Sequence, residues 1–404
     1  MEQAADDHAF ASRVVRVATA GTHFAYLQPA SGDWLASRTA GQVHVQAHVD
    51  DAAVWEPIAA GFRHPVTGTQ LQVIDVAATA PCALALHGRP LDANGGHTQA
   101  ATFTIGHGPE QLPSASLATL RTEGWVSLTA ILPPDVVDGL QWLGGVDAYE
   151  HDDADRTAPQ LLRHAALSRA TAEPVSAWLC RQYMGVDEIR LGHPPSISAL
   201  PPDDGERAVQ GWHVDFPYLW GTGTRVPVQG GPLVLGMQRN ICVSDFRKDN
   251  GATVFVLGSH TRGEAPPRAW GRSSETYAPG HRTRHGLPYG GPDTQVIEAP
   301  AGSIVLYDAR TWHRAGVNRT QRKRGAGIQA IVPGFIVPFM DMSAQLKAWL
   351  GSDIPAQLTP RQRADLEGLM TVCIAGPGGV HALGTDAELS RRIPQRRWIP
   401  RERD

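Results

Sequence analysis

Glycine and proline interrupt this chain so often that long helices have little room, and this feature most limits what it can fold into. Its 404 residues include 42 glycines and 31 prolines. Between them lie short apolar runs of strand length, such as SIVLY at 303–307. The pattern predicts a mainly β fold with long loops and with helices at its sides.

The chain is predicted to have two parts, a β-rich accessory region at 1–110 and a main domain at 111–404. Residues 13 to 107 read as short strands separated by turns. The segment FAYLQPASGDWLASRTAGQVHVQA resembles one repeat of a fascin-like β-trefoil. A binding role for this region and a structural role as an extra sheet packed on the main domain both stay open.

Helix signals appear only in the main domain. Pro133-Pro134-Asp135 predicts the start of an amphipathic helix, and ATAEPVSAWLCRQYM at 170–184 predicts another. Thr359 and Gln362 flank Pro360 with the spacing of a capping box, in which each side chain bonds the other residue's backbone N–H. We therefore expect a surface helix after Thr359.

Composition excludes several classes of partner. The formal charge of −4 gives no general attraction for nucleic acid or an anionic membrane. The N-terminus lacks a leader-like pattern, and no apolar run approaches the ~18 residues that span a bilayer. A cytoplasmic protein acting on a small molecule is expected, and the oligomeric state is not predicted. Four widely spaced cysteines predict buried thiols rather than a zinc or disulfide framework: Cys82, Cys180, Cys242 and Cys373.

A metal site is predicted from the segments GWHVDFPYLW and SIVLYDARTWHRAGVN. His213 and Asp215 are two residues apart, so on an extended strand both side chains point to one face. His313 follows a strong strand and supplies a third donor. Two histidines and one carboxylate form the facial triad that binds iron(II) and leaves positions for other ligands. The His-x-Asp pair alone is a weak signal.

The position of Arg324 strengthens the metal prediction. It lies eleven residues after His313 and begins an apolar run, GAGIQAIV. A guanidinium there can form a bidentate pair with the far carboxylate of 2-oxoglutarate, while the oxo-acid end of that molecule chelates the metal. The alternative, a solvated basic turn that includes Arg319, Arg322 and Lys323, fits less well because Arg324 starts a strand.

Four motifs in order resemble the phytanoyl-CoA dioxygenase family of Fe(II)/2-oxoglutarate oxygenases: WHVD, DFRKDNGATVFVLGSH, GSIVLYDARTWHRAGVN and Arg324. The resemblance covers residues 114 to 340. It implies a double-stranded β-helix, a cupin-like jelly roll, with flanking helices. It also implies Fe(II), 2-oxoglutarate and O2 as cofactors, with His213, Asp215 and His313 on the metal and Arg324 on 2-oxoglutarate.

The resemblance suggests further site residues. Gln238 and Asn240 fall where the family often places a side chain on the co-substrate, although either can be a core amide. Three aromatic residues after the triad carboxylate can line the substrate side or pack the core: Phe216, Tyr218 and Trp220.

Three features near the motifs keep two interpretations each. His260 can be a fourth ligand, but a core residue held by hydrogen bonds is favoured. Asp308 is either an acceptor for a ligand imidazole or a turn residue. The loop at 262–293, rich in Arg, Pro and Gly, is either a lid over the site or an ordinary insertion.

The expected function is therefore a dioxygenase that hydroxylates a natural product or lipid-like substrate, with no catalytic side chain beyond the metal site. The carboxylate of Asp215 argues against halogenation, because relatives that halogenate lack it. Two alternatives remain: a different divalent-metal enzyme on the same jelly roll, and a carbohydrate- or ligand-binding protein that uses the N-terminal region.

Overall fold

The computed structural model describes residues 11–19, 21–29, 32–80, 83–90, 101–218, 233–370, 373–376 and 379–382. The strands of the N-terminal part are β1 Arg13–Arg16, β2 Ala25–Pro29, β3 Trp34–Ala36, β4 His44–Gln46, β5 Glu56–Ile58, β6 Gly61–Arg63, β7 Gln70–Ala80, β8 Ala83–Pro90 and β9 Ala101–His107. Those that follow are β10 Trp125–Leu128, β11 Ile189–Leu191, β12 Ile197–Leu200, β13 Met237–Cys242, β14 Val254–Val256, β15 Gln295–Glu298, β16 Ile304–Asp308, β17 Trp312–Arg314, β18 Arg324–Pro333, β19 Cys373–Gly376 and β20 Gly379–Ala382.

The α-helices of the described residues all follow the N-terminal strands. They are α1 Pro113–Glu123, α2 Pro134–Gly144, α3 Ala165–Thr171, α4 Pro174–Met184, α5 Ser273–Thr276, α6 His281–His285, α7 Ser343–Leu350 and α8 Pro360–Met370. Among these residues none forms a helix both long and apolar enough to cross a membrane.

The larger sheet of the main domain, here called the major sheet, has the order β10-β16-β13-β18-β11, with β12 also paired to β18. All of these pairs are antiparallel. Strand β13 is buried at every position because it lies between β16 and β18. Alternate residues on such a central strand face two different environments, which fixes the register firmly.

A second, smaller sheet, the minor sheet, has the order β1-β15-β14-β17. Its inner residue Phe255 belongs to one buried cluster with Cys242, Tyr307 and Ala326 of the major sheet. The two sheets therefore pack against each other, and the triad segments lie between them.

Helices cover the opposite side of the major sheet. A large apolar cluster joins Leu140 of α2, Leu167 of α3 and Leu179 of α4 to Leu306 and Ile331 of the sheet. The side of the major sheet toward these helices is called its helix-facing side, and the other its triad-facing side. The expected strand-rich core with flanking helices is confirmed in this form.

The N-terminal strands form an antiparallel sheet of their own in the order β2-β9-β8-β7-β6-β5. Leu27, Trp55 and Phe103 are buried in its core. The described strands thus form one continuous sheet and the hairpin β3-β4. Strand β1 lies apart from them, because Arg13–Arg16 pairs in parallel with β15 of the minor sheet.

The predicted helix starts agree with the structure. Helix α2 begins at Pro134. Before α8, the Gln362 backbone N–H donates to Thr359 Oγ1 over 3.2 Å, and the Thr359 N–H donates to Gln362 Oε1 over 3.1 Å. This reciprocal pair is the predicted capping box. Arg361 in the first turn of α8 contacts Asp33, which ties the N-terminal sheet to the helices.

Candidate metal centre

The two histidines of the predicted triad are direct cross-strand neighbours. The His213 N–H donates to the His313 carbonyl over 3.0 Å, and the His313 N–H donates back over 3.1 Å. Strand β17 carries His313, and its other side pairs with β14. Both imidazoles therefore leave the backbone at the same level of the sheet, with ring centroids 4.2 Å apart.

Asp215 completes a compact group with the two histidines. One possible ligand atom from each of the three residues lies within 4.8 Å of the others. His313 Nε2 is 3.0 Å from Asp215 Oδ2, and His213 Nε2 is 3.6 Å from Asp215 Oδ1. The Asp215 N–H donates to the Ala309 carbonyl over 2.9 Å, which anchors the carboxylate beside β17.

Hydrogen bonds fix which imidazole nitrogen faces the group. His213 Nδ1 lies 2.8 Å from the Gly211 carbonyl, and His313 Nδ1 lies 2.9 Å from the Thr311 carbonyl. A carbonyl can only accept, so each Nδ1 is the protonated nitrogen that donates. Each Nε2 is then directed toward Asp215, as in metal sites where a backbone acceptor orients a histidine ligand.

The electrostatics favour metal-ready protonation states for two members of the group. Burial, with help from His313, lowers the pKa of His213 to about 4, so its imidazole is neutral at neutral pH. Burial acts to raise the pKa of Asp215, but attraction to His313 and His213 outweighs it and the net shift is downward. For His313, burial acts to lower the pKa, but Asp215 outweighs it and the net shift is upward.

Tyr307 is a member of the site that sequence reasoning missed. Its hydroxyl donates to Asp215 Oδ2 over 3.4 Å and is also hydrogen-bonded by Asn240. Burial, and then the charge of Asp215, raise the pKa of Tyr307 well above its usual value, so the phenol keeps its proton. Its place in the predicted strand was visible, but its partner on a distant loop was not.

Arg324 begins β18, as the sequence predicts, and its side chain is buried on the triad-facing side of the major sheet. Its Nη2 donates to the Gly251 carbonyl over 2.6 Å, and its guanidinium carbon lies 4.7 Å from the centre of the Phe246 ring. Its Nε has no hydrogen-bond partner among the described residues. Burial lowers the pKa of Arg324 to about 10, which still leaves it charged at neutral pH.

Gln238 and Asn240 lie on the same side of β13. In register, Gln238 is opposite Tyr307 and Ala330, and Asn240 is opposite Ile328. Both side chains are buried, yet Gln238 Oε1 and Asn240 Oδ1 have no partner within the described part of the chain. Buried amides are normally satisfied, so two unsatisfied ones beside Tyr307 mark a place where a polar group is missing.

The three aromatic residues suggested for the substrate side have different positions. Phe216 is half-buried, and its ring lies 5.0 Å from that of Phe339. Tyr218 is buried in the cluster between the sheets, and its hydroxyl accepts from the Leu235 N–H over 2.8 Å. Trp220 lies outside the described residues.

Neither His260 nor Asp308 joins the triad. His260 packs against Gly124, where a β-carbon would come within 2.2 Å of the ring. Its Nδ1 has no partner among the described residues, so that nitrogen does not provide the expected core hydrogen bond. Asp308 is on the helix-facing side, where it accepts from the Arg310 guanidinium and the Tyr183 hydroxyl. It therefore holds the turn before β17 and accepts from neither triad imidazole.

The loop at 262–293 packs against the segment that carries His213, on the side away from the triad imidazoles. Its Arg272 forms a parallel bridge with Trp212, so the loop adds an edge to the segment that carries His213. The Trp270 ring stacks on Tyr289 at 4.5 Å and lies 5.4 Å from Trp212, whose side chain points away from that of His213. The described loop thus packs on the outer side of the minor sheet, and its role as a lid stays a prediction.

Comparison with known proteins gives a match to one family model. Residues 136–326 match the family model "Phytanoyl-CoA dioxygenase (PhyH)". Dioxygenase olcK from Penicillium canescens is 33% identical over 128 residues, covering 31% of this chain and 34% of the relative. Dioxygenase af480 from Aspergillus fumigatus is 29% identical over 121 residues, covering 30% and 32%. The chain thus spans about a third of the length of these relatives.

Solved structures also resemble part of the chain. HygX from Streptomyces hygroscopicus, with nickel and 2-oxoglutarate bound, is 14% identical with a TM-score of 0.41, covering 57% of this chain and 90% of that one. The epimerase SnoN in complex with Fe3+, alpha ketoglutarate and nogalamycin RO is 18% identical with a TM-score of 0.36, covering 55% and 84%.

The family match extends from the first residues of α2 to the first residues of β18, and it contains all three members of the triad and Arg324. Iron(II), 2-oxoglutarate and O2, the expected cofactors, are those of this family. The resemblance seen in the four sequence motifs is therefore confirmed over residues 136–326, which match the phytanoyl-CoA dioxygenase family model.

Proposed function

We propose that this protein is an Fe(II)- and 2-oxoglutarate-dependent dioxygenase. Its expected reaction is hydroxylation of a small natural product or lipid-like molecule at an unactivated C–H bond. The observation that carries this proposal is the convergence of three ligand atoms within 4.8 Å, beside buried polar groups that lack partners among the described residues. The packing of the two sheets supports a double-stranded β-helix, a cupin-like jelly roll, within a catalytic domain at 111–404.

The donor set of the triad fits iron(II). Two neutral imidazole nitrogens and one carboxylate oxygen on one side of a metal leave the other positions for small ligands. Backbone carbonyls hold both Nδ1 protons, so Nε2 is the ligand atom of His213 and of His313. The Tyr307 hydroxyl would hold the Asp215 carboxylate in orientation, as supporting hydrogen bonds do in metal sites.

The unsatisfied polar groups fit 2-oxoglutarate. Arg324 would bind its far carboxylate, because a buried guanidinium with an unpaired Nε can make a charge-assisted hydrogen bond there. Gln238 and Asn240 face the same space, and the Gln238 amide can turn to present N–H groups. These residues would position the co-substrate.

The chemistry of C–H oxidation would come from the cofactors. Iron(II) held by His213, Asp215 and His313 would supply the activation of dioxygen. In the overall reaction one oxygen atom enters succinate as CO2 leaves 2-oxoglutarate, and the other enters the substrate. The protein would hold the reactants and limit access of water between its sheets. Since Asp215 supplies a carboxylate ligand, hydroxylation is expected rather than halogenation.

Formation of succinate tests this proposal. The full chain is incubated in air with 2-oxoglutarate and either Fe(II) or Zn(II), and succinate and O2 uptake are both measured. We expect both signals with Fe(II), at least ~100-fold above those with Zn(II), because only iron activates dioxygen. Asp215→Ala should lower them to the Zn(II) level. Zn(II)-dependent hydrolysis without O2 uptake would support a different metal enzyme, and ligand binding without turnover would support a binding protein.

A further inference from the structure

Strand β18 has one residue that breaks its burial pattern. Nine of its ten residues are buried, but Ile328 in the middle of the strand is 44% exposed. A large aliphatic side chain in the centre of a sheet is normally covered. Its exposure indicates that open space lies directly next to it.

The register identifies that space. Ile328 is paired with Asn240, and paired residues of neighbouring strands point to the same side of the sheet. Ile328 also shares its side of β18 with Arg324, four residues earlier. Since this is the triad-facing side, Ile328 faces the space between the sheets.

The same space has aromatic residues at its edge. A β-carbon at Gly192 would lie 3.0 Å from the Ala330 side chain, 3.2 Å from Phe216 and 3.4 Å from Phe339, so the four residues meet there. Ala330 is the next residue after Ile328 on the same side of β18. Phe216 directly follows the metal-ligand candidate Asp215.

The segment after β18 continues this apolar surface. The backbone N–H groups of Phe339 and Met340 both point to the Gly192 carbonyl, at 3.1 and 3.3 Å, which fixes the segment at the edge of the sheet. Phe339 is 53% exposed and Met340 is 49% exposed. Phe216, Ile328, Ala330, Phe339 and Met340 are called the apolar rim.

His193, a polar residue beside the apolar rim, already has hydrogen-bond partners. The His193 ring lies 5.5 Å from that of Phe339. Its Nδ1 lies 2.9 Å from the Pro194 carbonyl, and its Nε2 accepts from the Ala330 N–H over 3.4 Å. Both ring nitrogens therefore have backbone partners. Among the described residues, the polar side chains opposite the rim, Gln238 and Asn240, are those assigned to 2-oxoglutarate, and the rim itself presents hydrocarbon.

We propose that the apolar rim receives an uncharged hydrocarbon portion of the substrate, and that Ile328 determines which substrates fit. This inference rests on the proposed dioxygenase function and adds the chemical class of the molecule. The rim begins one residue from Asp215, so the portion it binds is the one brought toward the metal. A carboxylate or phosphate at that end of the substrate would lose its hydration without gaining a partner.

Binding of two fluorescent dyes tests the proposal. The dyes are neutral phenylnaphthylamine and its charged analogue, anilinonaphthalene sulfonate, which differ by the sulfonate. Each is titrated into the full chain without oxygen, both with and without Fe(II) and 2-oxoglutarate. We expect the neutral dye to bind about tenfold more tightly than the charged one. Ile328→Ser should weaken the neutral dye about tenfold, since it removes apolar contact area.

Matched substitutions control for general effects. Ile74→Ser removes a similarly exposed isoleucine from β7 of the N-terminal sheet and should leave binding within about twofold. Phe339→Ser should weaken the neutral dye several-fold, whereas Tyr277→Ser, at a similarly exposed aromatic residue, should not. Phe339 is in an exposed loop, so this second pair keeps the test valid if Ile328→Ser unfolds the protein.

The outcomes separate this inference from the proposed function. Equal binding of the two dyes, or equal effects of the rim and control substitutions, would overturn the inference. If the dyes behave as expected but no succinate forms with Fe(II), the dioxygenase proposal fails and the rim remains an apolar ligand site. Succinate formation without a preference for the neutral dye would support the dioxygenase proposal and overturn the assigned substrate class.

Discussion

The two sides of the major sheet differ in how far their buried polar side chains are satisfied by hydrogen bonds. On the helix-facing side, Arg239 donates to Gln329 Oε1, Ser176 Oγ and the Thr171 carbonyl, at 2.8 to 2.9 Å. On the triad-facing side of the same strands, Asn240 and Arg324 each keep a buried atom without a partner among the described residues. The same two strands, β13 and β18, carry both sets.

This difference separates structural polar groups from groups available to a ligand. A satisfied buried network stabilises one arrangement of strands and helices. An unsatisfied buried group costs free energy unless something else binds it, so such groups are expected at functional sites. The comparison predicts that substitutions on the helix-facing side change stability, whereas those on the triad-facing side change binding of 2-oxoglutarate.

The largest effect is expected for Arg239→Ala. It leaves Gln329, Ser176 and the Thr171 carbonyl without their donor in a fully buried place, so the free energy of unfolding should fall by about 3–5 kcal/mol. Urea unfolding measures this. The affinity of the folded protein for 2-oxoglutarate should stay within about twofold. A loss of stability below about 1 kcal/mol would mean that this network is not structural.

Arg324→Gln is expected to weaken 2-oxoglutarate binding and to leave stability nearly unchanged, which is the reverse of Arg239→Ala. Loss of a charge-assisted contact should weaken 2-oxoglutarate binding about 30-fold, or ~2 kcal/mol, in calorimetric titrations with Fe(II) and without oxygen. The free energy of unfolding should change by less than about 1 kcal/mol. Arg322→Gln is the control, since Arg322 is close in sequence but exposed and paired with Glu150. Equal effects of the two substitutions would remove the assigned role of Arg324.

Smaller effects on binding and stability are expected for Asn240→Leu and Gln329→Leu. These two matched amide replacements lie on opposite sides of the major sheet. Asn240→Leu should weaken 2-oxoglutarate binding several-fold and alter stability by less than about 1 kcal/mol. Gln329→Leu should leave binding unchanged and lower the free energy of unfolding by about 2 kcal/mol, because Arg239 Nε loses its acceptor. If both substitutions act on stability alone, Asn240 is a core amide.

Local sequence patterns predicted the parts of this molecule that depend on neighbours along the chain. The two-residue spacing of His213 and Asp215 places both at one site, and the alternation of Gln238 and Asn240 places both on one side of β13. The capping box of Thr359 and Gln362 is also local. In each case the period of a strand or helix determines the geometry.

Contacts between distant segments could not be predicted in the same way. The bond from Tyr307 to Asp215 joins residues 92 positions apart. The parallel pairing of β1 with β15 brings residue 13 next to residue 295. The bridge between Trp212 and Arg272 depends on how a long loop folds back. Such pairings follow from the packing of the whole chain, which single-sequence periodicity does not contain.

The central claim is that the triad-facing side of the major sheet and the triad form one site for Fe(II) and 2-oxoglutarate. Calorimetric titration of 2-oxoglutarate into the full chain without oxygen, with and without Fe(II), tests it most directly. We expect at least ~tenfold tighter binding with Fe(II), and no such gain in Asp215→Ala, which loses a metal ligand. Equal affinity with and without Fe(II), or an unchanged gain in Asp215→Ala, would contradict it.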